Sequence, residues 1–261
     1  MSNTILIDGD IVAYKAALAC EQAINWGDDL WTLHADLGKA KAHVDETIAA
    51  WVKTFAADVV KIALTGSENF RKSILPSYKE NRKDQRKPTV LGELKKHLVC
   101  GYGATCMVGL EADDVLGIWE TTPVPASETP VIISIDKDFN QIPGYVFNPD
   151  KDQGPRTITE AQADYWHLYQ TLIGDKTDGY NGCPGIGPVK AEKILMDEKL
   201  WNTEFTTFSV STAWEAVVAT YVKAGLGYEE ALRQARVARI LRYEDFDWDT
   251  QEPILWAPPR L

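Results

Sequence analysis

The chain has 261 residues, 45% apolar and 25% charged, with a net charge of −11, so it can bury a real core and is not a disordered chain. No run reaches the roughly 18 apolar residues of a membrane span, and the opening Met1–Asp8 lacks the basic stretch and long apolar run of a secretory leader. Four scattered cysteines without a CxxC pair and four histidines without zinc-ligand spacing argue against a thiolate or imidazole metal site, and fit a reducing, cytoplasmic compartment.

Thr4–Asp8 is a short, partly β-branched apolar run ending in Asp-Gly, which predicts a strand entering a turn. Ile11–Ala23 and Asp36–Ala56 have helical composition, and Val59–Thr65 reads as a second strand. Pro76 and Pro88 break the segment that follows into helix and loop. Ala104–Val108 reads as a short strand holding Cys106 and Met107, and Glu111–Glu120 as a helix. Val131–Asp136 is the clearest buried strand. Strands alternating with helices over about residues 1–150 predict an α/β fold around a mostly parallel, doubly wound sheet. Beyond Thr159 the pattern is helical almost throughout, ending in a Pro-containing tail that Trp256 would pack down.

Charge is unevenly placed. Residues 71–96 carry nine Lys or Arg against three acidic residues, while the rest of the chain is strongly acidic. Such a segment is ordinarily a solvated helix face, yet a compact basic stretch also engages phosphates locally.

Carboxylates fall where an open α/β sheet builds its sites, beyond strand ends and at helix starts. They are Asp8-Gly9-Asp10, Glu111-Ala112-Asp113-Asp114, Asp136-Lys137-Asp138 and Asp175-Lys176-Thr177-Asp178. A helical 111–114 places Glu111 and Asp114 on one face, and an extended 136–138 points Asp136 and Asp138 the same way. Any one of these pairs is ordinary helix or turn capping. Together they form a charge cluster that is tolerable mainly when divalent cations neutralise it. Oxygen ligands without His or Cys favour Mg²⁺ or Mn²⁺, and a pair of such ions is the common solution to phosphodiester hydrolysis.

Gly182-Cys183-Pro184-Gly185-Ile186-Gly187-Pro188 is a tight turn feeding a helix. Gly185 and Gly187 let backbone approach a phosphate, the helix N-terminus offers free N–H groups, and Lys190 and Lys193 add positive charge one turn in. This is the pattern of hairpin motifs that hold DNA backbone without reading bases.

The order of parts resembles the structure-specific 5′-nuclease family, which includes flap endonucleases and the 5′→3′ exonuclease domain of bacterial DNA polymerase I. The resemblance rests on Ile7-Asp8-Gly9, then Phe70-Arg71, Tyr78-Lys79 and Asn81-Arg82, then the three later acidic segments and the glycine turn, and spans residues 5–195. NFRKSILPSYKENRK, DYWHLYQTLIGDKTDGYNG and ARILRY look most like the stand-alone 5′→3′ exonuclease of short-tailed bacteriophages. It implies a PIN-like nuclease core over 1–158 with a helical arch at about 67–103, and a helical DNA-binding region over 159–261 with a helix–three-turn–helix at about 175–196.

By the same resemblance, Asp8, Glu111, Asp113, Asp114, Asp136, Asp138, Asp175 and Asp178 bind two Mg²⁺ or Mn²⁺ ions. Lys79 and Arg82 act on the scissile phosphate, and Tyr78 stacks on the terminal base. Arg71, Lys72 and Lys83 join Gly185, Gly187, Lys190 and Lys193 in contacting DNA, with K⁺ at the glycine turn. The implied substrates are duplex DNA with a 5′ end, 5′ flaps and RNA–DNA hybrids, in phage replication, recombination and host DNA degradation within the host cytoplasm. One departure stands out: where the family has an acidic residue after its second strand, this chain has Thr65, which raises Asp10 as a substitute ligand. A PIN-like ribonuclease and a catalytically inactive DNA-binding protein are the alternatives. The first lacks a reason for the glycine turn and the basic segment, and the second lacks one for intact carboxylate pairs. Elsewhere, Tyr165, Trp166 and Cys183 read as core packing, and Arg236, Arg239 and Arg242 as a surface stripe.

Overall fold

The computed structural model describes residues 2–125 and 128–259. The chain begins β1 (Ser2–Asp8), α1 (Gly9–Ala19), β2 (Glu21–Asn25), β3 (Trp31–Ala35), α2 (Leu37–Phe55) and β4 (Val59–Ala63). It continues through α3 (Arg71–Ile74), a 3₁₀ turn at Glu80–Arg82, α4 (Leu91–Tyr102), α5 (Ala112–Thr121), β5 (Glu128–Ile133), a second 3₁₀ turn at Lys137–Gln141 and β6 (Gly144–Phe147). The last part holds β7 (Arg156–Ile158), α6 (Glu160–Ile173), α7 (Pro188–Leu195), α8 (Val210–Lys223), α9 (Tyr228–Ala238) and the two-residue strands β8 (Phe246–Asp247) and β9 (Glu252–Pro253). Two compact units result. The first comprises Met1–Glu68, Arg86–Asp136 and Tyr145–Arg156, and the second Asn69–Gln85, Lys137–Gly144 and Thr157–Leu261. Against the sequence division at 158/159, residues 69–85 and 137–144 group with the second unit.

The first unit is organised by sheet strands in the order β4-β1-β5-β6. Central β1 runs parallel to both neighbours, with Ile7 opposite Ile62 of β4 and Ile133 of β5. Ile5, Leu6 and Ile7 are all buried, as a strand covered on both faces requires. Helix α1 starts where β1 stops because Asp8 caps it, accepting the Ile11 N–H at 3.2 Å. Gly9 is obligatory at this junction: a Cβ there would lie 2.7 Å from Ile62 and 2.8 Å from the Ala63 carbonyl. On α2, Ala40, Val44 and Ile48 recur every four residues and are the buried positions.

Three expectations for this unit are corrected. The helix expected over Ile11–Ala23 ends at Ala19, and β2 pairs antiparallel with β3. Glu21, at the start of β2, ties the hairpin to residues 86–89: the Arg86 guanidinium and the Thr89 N–H and hydroxyl donate to its carboxyl and hold it down to about 2. Ala104–Val108 forms no strand; Thr105 makes a single parallel bridge to Ala63, and Cys106 is exposed. Finally, β5 ends at Ile133, and Asp138 opens a 3₁₀ turn, so Asp136 and Asp138 do not share an extended segment.

The second unit is helical. Thr159 and Gln162 form a reciprocal capping box at the start of α6. Leu168, Leu172, Trp214, Val217 and Tyr221 fill its core, and Trp256 docks the tail edge-on against His167 and Trp214. Two of the three arginines expected as a surface stripe are interior: Arg239 pairs with Asp245 at 2.8 Å, and Arg242 with Asp164 at 2.7 Å, while Arg236 is half-buried. Arg236 donates to the Trp256 carbonyl. Buried cations are tolerated only with such partners. Among the described residues, no helix is long and apolar enough to cross a membrane.

Candidate active site

In the first unit, carboxylates gather at the C-terminal ends of β1 and β5 and at the start of α5. Asp8 is buried and takes its hydrogen bonds from neutral donors, the Ile11 N–H and the Ser134 hydroxyl at 3.1 Å. Ser134 also accepts the Asp136 N–H, so one hydroxyl ties the two strand ends together. Apolar Ile11, Val12, Trp51 and Ile133 wall a cavity of about 230 Å³ beside Asp8. Burial, then the nearby Asp10 carboxylate and in lesser part Asp136, push the Asp8 carboxyl up to about 7, against the pull of its two hydrogen bonds.

Thr65, the residue that departs from the acidic pattern, joins two of the carboxylate segments. Its N–H donates to Asp10 Oδ2 at 3.0 Å, and its hydroxyl accepts the Ala112 N–H at 3.0 Å. It thereby satisfies a first-turn N–H of α5, a task open to any oxygen acceptor. Glu111 is the cap of α5 rather than a helical residue. Its side chain and that of Asp114 bond each other's backbone N–H groups, while Asp113 accepts the Asp114 N–H at 2.8 Å.

In the second unit the acidic residues face cations and other donors. Asp178 receives the Arg82 guanidinium, the Tyr78 hydroxyl at 3.2 Å and the Lys79 ammonium at 3.6 Å. The Lys79 N–H donates to the Asp178 carbonyl at 2.8 Å, and Lys79 adopts a left-handed φ of 55°. That conformation costs a non-glycine residue on the order of 1 kcal/mol. Gly179 permits the approach, since a Cβ there would stand 3.2 Å from the Ser77 carbonyl. Arg82 further donates to the Thr177 carbonyl, Lys137 lies 3.5 Å from Asp175, and Gln170 donates to Asp138 at 2.6 Å. Tyr180 is buried, and burial reinforced by Asp138, Asp178 and Asp175 raises its phenol well above the ordinary value.

Two sequence-predicted DNA contacts are corrected. Tyr78 is 2% exposed, so its ring is core and not a stacking platform. Arg71 is equally buried, its guanidinium donating to the Val237 and Arg239 carbonyls. Lys72 and Lys83 are exposed, Lys83 in a 2.8 Å pair with Glu80.

The glycine turn precedes α7. Gly185 has φ +75°, and open space surrounds both Gly185 and Gly187 where a side chain would project. Lys190 folds back to donate to the Gly185 carbonyl at 2.8 Å, while Lys193 is exposed on α7. The stricter glycines are Gly182, which opens the motif, and Gly174, to which the sequence reading gave no role. Gly174 and Gly182 cross so closely that a Cβ on either would lie within 2.4 Å of the other's backbone segment. Gln234 secures the crossing by accepting the Gly182 N–H.

Among the described residues, no three Asp, Glu, His or Cys side chains converge as a ready-made coordination shell. The carboxylates instead take protein donors, in the ways just described.

A strand-end carboxylate cluster on a parallel sheet, followed by a helical unit with a glycine turn, defines a class, and the comparisons name it. Residues 3–162 match the family model of the 5′-3′ exonuclease N-terminal resolvase-like domain, and the chain belongs to that family. It is a nuclease that hydrolyses phosphodiester bonds, of the phage 5′-3′ exonuclease and flap endonuclease type. It is 32% identical to the exodeoxyribonuclease of Enterobacteria phage T3, over 97% of this chain and 92% of that protein. It is 32% identical also to the exonuclease of Escherichia phage T7, over 97% and 93%. A solved structure of the bacteriophage T5 D15 flap endonuclease, a pseudo-enzyme–product complex with DNA and metal ions, superposes with a TM-score of 0.62 at 16% identity, covering 90% of this chain and 88% of that one.

Proposed function

We propose that this nuclease is a divalent-metal-dependent 5′→3′ exodeoxyribonuclease. It removes nucleotides from 5′ ends of duplex DNA and also takes 5′ flaps and the RNA of RNA–DNA hybrids. Its setting is phage replication, recombination and host DNA degradation in the infected cell's cytoplasm. The observation that carries the reading is Asp8, buried at a strand end, crowded by Asp10 and Asp136, and pushed up to about 7. Such a group gains from a cation. The donors fit a hard divalent ion in kind, being carboxylates without His or Cys. The T5 D15 structure, solved with DNA and metal ions, supports the same reading.

Asp8, Glu111, Asp113, Asp114 and Asp136 would hold one ion, and Asp138, Asp175 and Asp178 a second, weaker one. Weakness follows because Lys79, Arg82 and Lys137 already compensate the second group. When bound, Mg²⁺ or Mn²⁺ supplies Lewis-acid stabilisation of phosphoryl charge and acidifies water. The chain's own part is positional. Asp178 aims Lys79 and Arg82, whose N–H groups stabilise charge building on the scissile phosphate. The Gly185–Gly187 turn, with Lys190, Lys193 and a K⁺ ion, holds duplex backbone, and exposed Lys72 and Lys83 add attraction. The leaving group is the 3′-oxygen, so products carry 5′-phosphates.

The test incubates an internally labelled duplex and a matching 5′-flap substrate with Mg²⁺ or with chelator, and resolves products on a denaturing gel. Short products appearing progressively from the 5′ end, only with metal, are expected. Cleavage that persists in chelator, or that starts from 3′ ends, overturns the reading.

A further inference from the structure

Lys95 lies on α4, among the residues of the basic segment that packs in the first unit. Its ammonium stands 2.6 Å from Asp10 Oδ1, while Asp10 Oδ2 accepts the Thr65 N–H at 3.0 Å. Both carboxylate oxygens of Asp10 are therefore engaged by the protein. The two engagements differ in kind. Oδ2 has a directed hydrogen bond, whereas Oδ1 is shut off from solvent and has no hydrogen-bond partner among the described residues, so the contact with Lys95 is one of charge on charge. The pair is sheltered, the side chains being 35% and 26% exposed. Asp10 sits in the first turn of α1, two residues beyond Asp8, the cap of that helix. A fixed positive charge thus stands where the strand-end carboxylates begin.

We propose that Lys95 is a built-in cation of the first-unit site, holding Asp10 as a positioning residue so that Asp10 does not ligate the divalent ion. Thr65 completes the arrangement, because its N–H fixes the Asp10 carboxylate and its hydroxyl carries the link onward to α5. The consequence is a site tuned to weaker divalent binding than its count of carboxylates implies. An ion entering at the strand ends finds Asp10 Oδ1 held by a resident ammonium rather than free to ligate, while Asp10 still adds negative charge beside Asp8. The inference rests on the metal-dependent reading above, and its test separates the two.

Full-length protein stripped with chelator is titrated with Mn²⁺ by calorimetry and its melting followed with and without Mg²⁺, for wild type, Lys95→Met, Lys95→Gln, Lys95→Arg, Asp10→Asn and the Lys95→Met/Asp10→Asn pair. Removing the ammonium should tighten divalent binding about tenfold and enlarge the metal-induced rise in melting temperature. Lys95→Arg should match wild type. Asp10→Asn, which leaves the ammonium unpaired, should weaken binding, and the double variant should return to wild-type affinity. Lys95→Gln, which keeps polarity without charge, reads the same effect should Lys95→Met fold poorly. If the double variant binds as weakly as Asp10→Asn, or neutral Lys95 variants bind no tighter while wild type binds normally, this inference falls alone. If wild type binds no divalent ion, both fall.

Discussion

At the ends of β1 and β5, Asp8 is hydrogen-bonded by neutral groups and burial beside Asp10 raises it to about 7. In the helical unit, Asp178 faces Lys79, Arg82 and the Tyr78 hydroxyl. The same side chain is thus put to two uses. Asp8 stores carboxylate repulsion that, on the proposed function, a divalent ion would relieve. Asp178 has its charge met locally, setting the positions of two cations that on the proposed function would act on phosphate. Identical letters in the sequence motifs therefore carry different chemistry, decided by which charges each fold element brings alongside.

Breaking the first-unit cluster should have the largest effect. Asp136→Ala should lower the cleavage rate at least about a thousandfold, on the order of 4 kcal/mol, while DNA affinity persists in a filter-binding assay. Next comes the pH dependence of the metal-free protein. Asp8 binds its proton more tightly folded than unfolded, so its own contribution to stability is fullest below about pH 4 and is lost as pH rises towards about 7, in a window where buried Glu120, raised to about 8, acts the same way. Denaturant melts in chelator should show that decline as the part of the pH dependence that Asp8→Asn removes, on the order of 4 kcal/mol, and excess Mg²⁺ should shrink that part. In the second unit, Lys79→Ala should slow single-turnover cleavage about a hundredfold, and lowering the ionic strength should not restore it. Full recovery at low salt would reduce Lys79 to simple attraction. The smallest effect belongs to the glycine turn: Lys190→Ala with Lys193→Ala should weaken duplex binding and reduce the salt slope by about two.

Much of this was legible in the sequence because the signals are local. The buried strand through Val131–Ile133, the Glu111/Asp114 spacing that becomes a capping box, and the Pro76 and Pro88 breaks each depend on a few adjacent residues. What failed depends on partners far along the chain. Arg71 reads as a DNA contact until the Val237 and Arg239 carbonyls enclose it, and Arg239 and Arg242 read as surface until Asp245 and Asp164 meet them. Tyr78 has the right neighbours for stacking and is buried by the fold. Lys95 was one basic residue in a run of nine, and only the packing of α4 in the first unit distinguishes it. The Gly174–Gly182 crossing was readable in retrospect from two glycines eight residues apart, flanking the Asp175–Asp178 turn.

The most direct test of the contrast is thermal melting at pH 8 as Mg²⁺ is added, for wild type, Asp8→Asn and Asp178→Asn. Wild type should gain stability with the ion. Asp8→Asn should melt higher than wild type without metal, because the buried charge is gone, and should gain little from Mg²⁺. Asp178→Asn should keep most of the gain. A result in which Asp178→Asn abolishes the Mg²⁺ response and Asp8→Asn retains it would contradict the assignment of the primary cation site to the strand ends.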